Sequence, residues 1–354
     1  MKPWFTLYFG IFSVMALSNA IVPILPAYAG SSGMQGTIYA AYFLGAFAST
    51  LPAGLLADRF GRVPLIRTGL VISAASGLLL FMITVPFPVI AVRFLEGLGG
   101  GCFVAAAMAY VNTDPDHVRM SGYFMALLNA GLVTGLVLAG WSGAHLPDPA
   151  TGILLFAVCT IIPACTGFLI HESPHKSVTP DPALFLSIIR DYRWLLYASV
   201  ILLGSTGVVV SLYPRFSGAA PDLAGAWIAG MSIATIVAVL VAPRYHLSPI
   251  LLIRWSAVLM AAGVMVTFVS PGGFVIIGAL AGIVTIALMA VLSHAKNNQG
   301  MAMGLFSTMS YLGMAVLPFA AGLVADTAGF FIAFCLTAVC AGTVAITIGR
   351  CSCH

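Results

Sequence analysis

Gly54-Leu55-Leu56-Ala57-Asp58-Arg59-Phe60-Gly61-Arg62 places charged residues and glycines in a short stretch between two long apolar runs, 35–57 and 65–83. Each run is long enough to cross a lipid bilayer, for which about 20 apolar residues are needed. A charged turn between two such runs predicts a membrane hairpin. In it, Gly54 is expected to let a neighbouring helix come close, Asp58 to face a helix amino terminus, and Arg59 and Arg62 to hold orientation as loop cations.

The rest of the chain agrees. Of 354 residues 61% are apolar and 7% charged, and the mean hydropathy is +1.08. A soluble domain needs far more polar surface, so the bilayer is the solvent. A formal charge of +4 is too small to suggest nucleic acid, and its sign matters only through where the charges lie. No glycine-rich loop ending in Lys-Ser/Thr is present, so energy from nucleotide hydrolysis is not expected. No nucleophile and base pair points to an enzyme.

Hydropathy predicts an all-α polytopic protein with twelve spans near 4–29, 35–57, 65–83, 88–113, 121–144, 151–170, 192–213, 222–243, 249–269, 272–294, 300–325 and 328–350. With the amino terminus in the cytoplasm, twelve of the fourteen Lys and Arg residues fall on the inner side, Arg215 outside and Arg93 within a span. That asymmetry predicts a cell-membrane, multi-pass protein with both termini cytoplasmic. Lys2 followed by an apolar run and Ser18-Asn19-Ala20 imitates a cleavable leader. The run continues to Ala29, and its removal would undo the charge pattern, so it is read as the first helix.

Two halves of the chain repeat. An offset of 182 brings Gly122, Phe124, Gly131 and Gly140 onto Gly304, Phe306, Gly313 and Gly322. An offset of 185 brings Gly45, Thr50, Arg59 and Pro64 onto Gly230, Thr235, Arg244 and Pro249. Chance apolar similarity explains shared glycine and proline spacing poorly. The repeat divides the chain into six-helix halves, 1–170 and 192–354, joined by a cytoplasmic connector over 171–191, a pseudo-symmetry common in transporters.

Arg93 and Glu96 are the only ionisable pair placed well inside a span, three residues apart on one helix face. Eight residues from the outer end at 1.5 Å each puts Glu96 about 12 Å deep. Burial opposes a charged carboxyl group and a guanidinium supports it, so the pair is a candidate for proton coupling, against the plainer alternative of an internal tie between helices. Gly100, Phe103, Ala107 and Tyr110 continue that face, which puts Tyr110 on the expected substrate-cavity side. Asn19, on a face with Phe12, is the candidate for substrate contact, because an amide inside a span needs partners. Small residues and proline four or five apart, Gly131 and Gly135 with Gly140, and Gly313 with Pro318 and Gly322, mark faces where backbones can touch.

Two metal motifs are declined. His171-Glu172-Ser173-Pro174-His175 matches H-E-x-x-H, but Pro174 breaks the helix that would align both histidines. Cys351, Cys353 and His354 are three donors at the chain end and make no closed site. The remaining cysteines read as small apolar side chains. No metal and no cofactor is expected.

The pattern G-x-L-A-D-R-x-G-R over Gly54–Arg62 resembles the signature between the second and third spans of the major facilitator superfamily, with Val63 where the family usually adds a basic residue. Arg93-Phe94-Leu95-Glu96-Gly97-Leu98-Gly99 resembles its fourth-span motif, and Asp114, Arg119 and Gly122 its exit into span five. Gly131-x3-Gly135-x3-Ala139-Gly140 resembles the fifth-span motif of proton-coupled antiporters, although Leu136 stands where that motif has proline and Pro318 holds the corresponding place in the second half. The resemblance implies a secondary transporter working by alternating access and similar to the drug antiporter branch: a proton-coupled exporter of small amphipathic or lipophilic compounds. It also implies that Asp58 latches onto the amino end of span eleven near Gly300. Expected partners are the lipid bilayer, a small-molecule substrate and protons, for a chain acting as a monomer. A facilitator or symporter for a small metabolite would share the fold, and a non-transporting sensor or membrane enzyme belongs to a different class.

Overall fold

Pro, Gly and the hydropathy minima divide the chain into a series of helices. The structure, a computed structural model, describes residues 3–170, 182–244, 248–292 and 299–350; the side chains of Asp58, Val118, Pro243, Arg350 and of residues 182–186 and 299–300 lie outside that description. In chain order the helices are α1 (Trp4–Ala20), α2 (Leu25–Tyr28), α3 (Ser32–Phe60), α4 (Arg62–Met82), α5 (Pro86–Val111), α6 (His117–His145) and α7 (Thr151–Gly167). After the connector helix α8 (Pro182–Asp191) come α9 (Arg193–Ser217), α10 (Pro221–Val241), α11 (Pro249–Val269), α12 (Gly273–Leu292), α13 (Gln299–Ala328) and α14 (Phe330–Thr347). Eleven apolar segments among the described residues are long enough to cross a membrane, and α7, 17 residues long, is a shorter twelfth. Backbone groups in hydrocarbon must be satisfied within the segment, which is why the described spans are helical. Large apolar side chains such as Leu240, Trp255, Val269 and Ile346 stand exposed, as residues facing lipid do.

Three details differ from the hydropathy reading. The first span is not one helix: α1 gives way to a 3-10 turn at Val22–Ile24 and then to α2, because Pro23 and Pro26 offer no N–H to continue the ladder. The charged hairpin is hardly a loop. α3 runs through Phe60 and α4 begins at Arg62, leaving Gly61 alone between them at φ 95°, a conformation that glycine reaches without a Cβ clash. The shortened α7 is completed by a side chain: Arg67 donates from Nε to the Gly167 carbonyl at 3.1 Å and from Nη2 to the Phe168 and Ile170 carbonyls at 3.3 and 2.6 Å. The last carbonyls of α7 accept the N–H groups of Phe168, Leu169 and Ile170, and Arg67 ties down the turn that follows.

The chain divides into two compact units. One comprises Met1–Ala29, Ala41–Pro180 and Ala219–Ala226. In it α1 packs on α6 and α7, and α4 on α5 and α7, around a core that includes Leu7, Ile11, Leu70, Phe103 and Phe124. The other comprises Gly30–Ala40, Asp181–Gly218 and Trp227–His354. There α9 packs on α13 and α14, and α11 on α12 and α14. Its aromatic centre joins Tyr213 to Phe274, ring centroids 4.7 Å apart, and Phe216 to Phe268, also 4.7 Å.

The repeat seen in the sequence reappears as packing. Gly131 and Gly135 of α6 lie against the Phe12 and Ala16 carbonyls of α1, and Gly313 of α13 against the Val200 carbonyl of α9. At the other end of each long helix, a Cβ at Gly140 would lie 2.6 Å from the Pro221 carbonyl oxygen, and one at Gly322 would lie 2.7 Å from that of Ser32. Each unit thus sets a glycine face against backbone, which brings helices close where lipid supplies no hydrophobic drive.

Candidate functional site

The site is built on α5, which opens with Pro86 in its first turn, where a missing N–H costs nothing. Its middle carries Gly97, Gly99, Gly100 and Gly101, a run that would weaken a water-soluble helix but here leaves room for neighbours. Gly97 sits against the Tyr42 carbonyl of α3, and Gly45 of α3 against the Phe94 carbonyl of α5. On the opposite side, a Cβ at Gly99 would lie 2.9 Å from the Gly69 carbonyl oxygen of α4. The glycines therefore seat α5 between α3 and α4 at backbone distance. Side chains one turn away on the faces covered by α3 and α4 are enclosed.

Arg93 and Glu96 are such side chains, each 1% exposed. Arg93 Nη1 donates to Glu96 Oε2 at 2.7 Å, and the guanidinium carbon stands 4.6 Å from the centroid of the Tyr42 ring. A buried cation is thus held by a carboxylate on one side and an aromatic face on the other, an arrangement whose strength rises as water is excluded. The pairing is incomplete. Glu96 Oε1 and Arg93 Nε are buried with no hydrogen-bond partner among the described residues. Glu96 therefore keeps one carboxyl oxygen able to take a proton or a donor without giving up its bond to Arg93.

The other positions singled out in the sequence are distributed along both ends of the unit. Gly54 has no described atom within 4 Å of where a Cβ would stand, so the close helix approach expected there occurs instead at Gly45. Arg59 is exposed with its guanidinium 5.1 Å from the Phe60 ring. Arg62 opens α4. Asp58 lies in the last turn of α3; its side chain and that end of α13 at Gly300, and with them the expected latch, lie outside the described side chains. Asp114 accepts the Asp116 N–H at 2.9 Å, and Arg119 donates to the Tyr123 hydroxyl at 2.9 Å, while Gly122 has open space. Asn19 donates to the Leu132 carbonyl at 3.4 Å, a long bond tying α1 to α6. Phe12 stacks at 6.3 Å on Phe9, and Tyr110 packs against the hydrophobic core. Phe103 and Ala107, read as continuing the ionised face, are fully buried in that core. His171–His175 and Cys351–His354 lie outside the described residues, and no group of metal-binding side chains occurs among the described ones.

Three residues were missed. Tyr42 lies 51 positions from Arg93, and nothing in one sequence joins them. Gln35 is fully buried, and neither of its amide atoms has a partner among the described residues; a glutamine near a span end carries the same signal as Asn19. Asp326, at the last turn of α13, accepts the backbone N–H of Ser32 and of Gly33, each at 2.7 Å. A lone acid at a span boundary was the only hint of it.

Comparison with known proteins places these observations. Residues 7–318 match the family model described as Major Facilitator Superfamily. The chain is 24% identical over 360 residues to the quinolone resistance protein NorA of Staphylococcus aureus, covering 92% of this chain and 90% of that protein. Among solved structures, a bacterial homologue of the human lysosomal transporter Spinster, inward-facing and occupied, superposes with a TM-score of 0.81 at 13% identity, covering 99% of this chain and 96% of the other. The nucleoside transporter NupG gives a TM-score of 0.74 at 12% identity, covering 99% of both chains.

Proposed function

This chain belongs to the Major Facilitator Superfamily, and we propose that it is a proton-coupled exporter of small amphipathic or lipophilic compounds in which Glu96 carries the coupling proton. It is a multi-pass membrane transporter and not an enzyme, in keeping with its relatives. The halves 1–170 and 192–354 move against each other in alternating access, with both termini on the cytoplasmic side. Export of lipophilic compounds is supported by the likeness over 92% of the chain to a protein named for quinolone resistance.

The observation that carries the coupling assignment is the buried Glu96 oxygen with no partner among the described residues, beside a 2.7 Å bond to Arg93. Helix movement that lengthens this bond removes the support of the guanidinium and favours the protonated acid; movement that shortens it expels the proton. Asn19, Phe12 and Tyr110 are proposed to contact substrate. The segment Gly54, Asp58, Arg59, Gly61 and Arg62 is proposed to govern the conformational change on the cytoplasmic side.

Glu96→Gln keeps size and an acceptor for Arg93 but cannot titrate. Reconstituted in liposomes, this variant should bind and exchange a lipophilic cation yet fail to concentrate it under a pH gradient. Concentration with normal proton movement would remove Glu96 from coupling.

A further inference from the structure

Asp326 stands where an acid does not help its own helix. It lies in the last turn of α13, which ends at Ala328, and a carboxylate near a helix carboxyl end is disfavoured by the helix dipole. It serves another helix instead. Its two oxygens accept the Ser32 and Gly33 N–H groups at 2.7 Å each, pairing two of the orphan donors in the first turn of α3. The contact is intimate: Gly36 meets the Pro318 carbonyl, and a Cβ at Gly33 would stand 2.7 Å from Asp326 Oδ2. Arg215 adds a bond from Nη2 to the Gly30 carbonyl at 2.7 Å, just before α3. The repeat has no counterpart for the carboxylate, since 326 − 182 = 144 and residue 144 is alanine, although Gly140 makes the corresponding glycine contact.

One turn further along α3, Gln35 works in the opposite sense. Its side chain is 0% exposed and neither amide atom has a partner among the described residues. Burying an unpaired amide costs free energy that contact with water would return. A helix end that is clamped by two charge-assisted bonds and loaded with an unsatisfied amide is balanced between holding and parting.

We propose that Asp326 and Gln35 form an opposed pair that sets how readily the Ser32 end of α3 separates from α13, and so act as a conformational switch. The pair rests on the chain being an alternating-access transporter, and not on its substrate or on Glu96. The test needs neither substrate nor gradient, so its outcome is independent of the export assignment.

In full-length protein purified in detergent, with the seven native cysteines replaced, Ser32→Cys reports separation through its rate of reaction with a maleimide, because Ser32 is buried in the closed contact. Asp326→Asn should raise that rate about tenfold, as expected for loss of one charge-assisted bond. Gln35→Leu should lower it severalfold, and the double variant should fall between. A rate unchanged by Asp326→Asn, or unchanged or raised by Gln35→Leu, overturns the proposal. Should Asp326→Asn not fold, hydrogen exchange of the first-turn amides of α3 supplies the reading: with Gln35→Leu alone it should slow severalfold, and unaltered or faster exchange overturns the pairing.

Discussion

Removing Arg93 alone should damage this protein more than removing the whole ion pair. At the observed 2.7 Å, two unit charges attract by about 6 kcal/mol at an effective dielectric constant of 20. Against this stands a desolvation penalty of several kcal/mol for each ion, which both incur at 1% exposure. The net value of the pair is therefore small, while either partner left behind is costly. Arg93→Met strands a buried carboxylate and should cost about 3–5 kcal/mol. Glu96→Leu leaves the cation over the Tyr42 ring, 4.6 Å from its centroid, worth about 2 kcal/mol when desolvated, so its cost should be roughly 1–3 kcal/mol. The double variant Arg93→Met with Glu96→Leu should lie within about 2 kcal/mol of the unaltered protein. Reversible unfolding of the four proteins in mixed detergent gives the cycle, and the interaction energy should reach about 3 kcal/mol. Single costs that add to the double within about 0.5 kcal/mol would refute the reasoning, because independent sites have no shared burial to lose.

The glycine run of α5 predicts a graded series by folded yield and thermal unfolding. Gly97→Ala meets the rigid Tyr42 carbonyl and should cost about 1–3 kcal/mol, whereas Gly100→Ala meets only the Tyr42 hydroxyl end at 2.8 Å, which can swing away, and should cost under about 1 kcal/mol; equal losses would mean that helix propensity and not packing governs the run. Arg67→Met removes three bonds to the end of α7 and should destabilise by about 1–3 kcal/mol, with Arg67→Lys recovering part of it, and no change would assign those carbonyls to water. Asp58→Asn should leave expression intact, lower transport and raise cytoplasmic accessibility, and unaltered transport would reduce that stretch to a topogenic turn. Single cysteines at Ser31, Asp148 and His175 should react with an impermeant reagent from outside, outside and inside respectively; another pattern removes the assigned orientation.

Hydropathy determined most of the architecture. Runs such as 35–57 and 65–83 must cross lipid because nothing else satisfies their backbone and buries their side chains, and one stretch of nine residues, Gly54–Arg62, identified the family that the comparison then matched over residues 7–318. The repeated glycines at 131 and 313 were likewise readable, because close helix packing leaves small residues at fixed spacing. Arg93 and Glu96 were legible as a pair since i and i+3 share a helix face. What the sequence could not specify is whatever depends on a second helix. Tyr42 meets Arg93 only because Gly45, Gly97 and their neighbours bring α3 and α5 to backbone distance, and Asp326 meets Ser32 across 294 positions. A helix's own periodicity records which face is buried and not what covers it. The vacant Glu96 oxygen, the cap on α3 and the unpartnered Gln35 are properties of enclosure, decided when three dimensions close around groups that one dimension leaves apart.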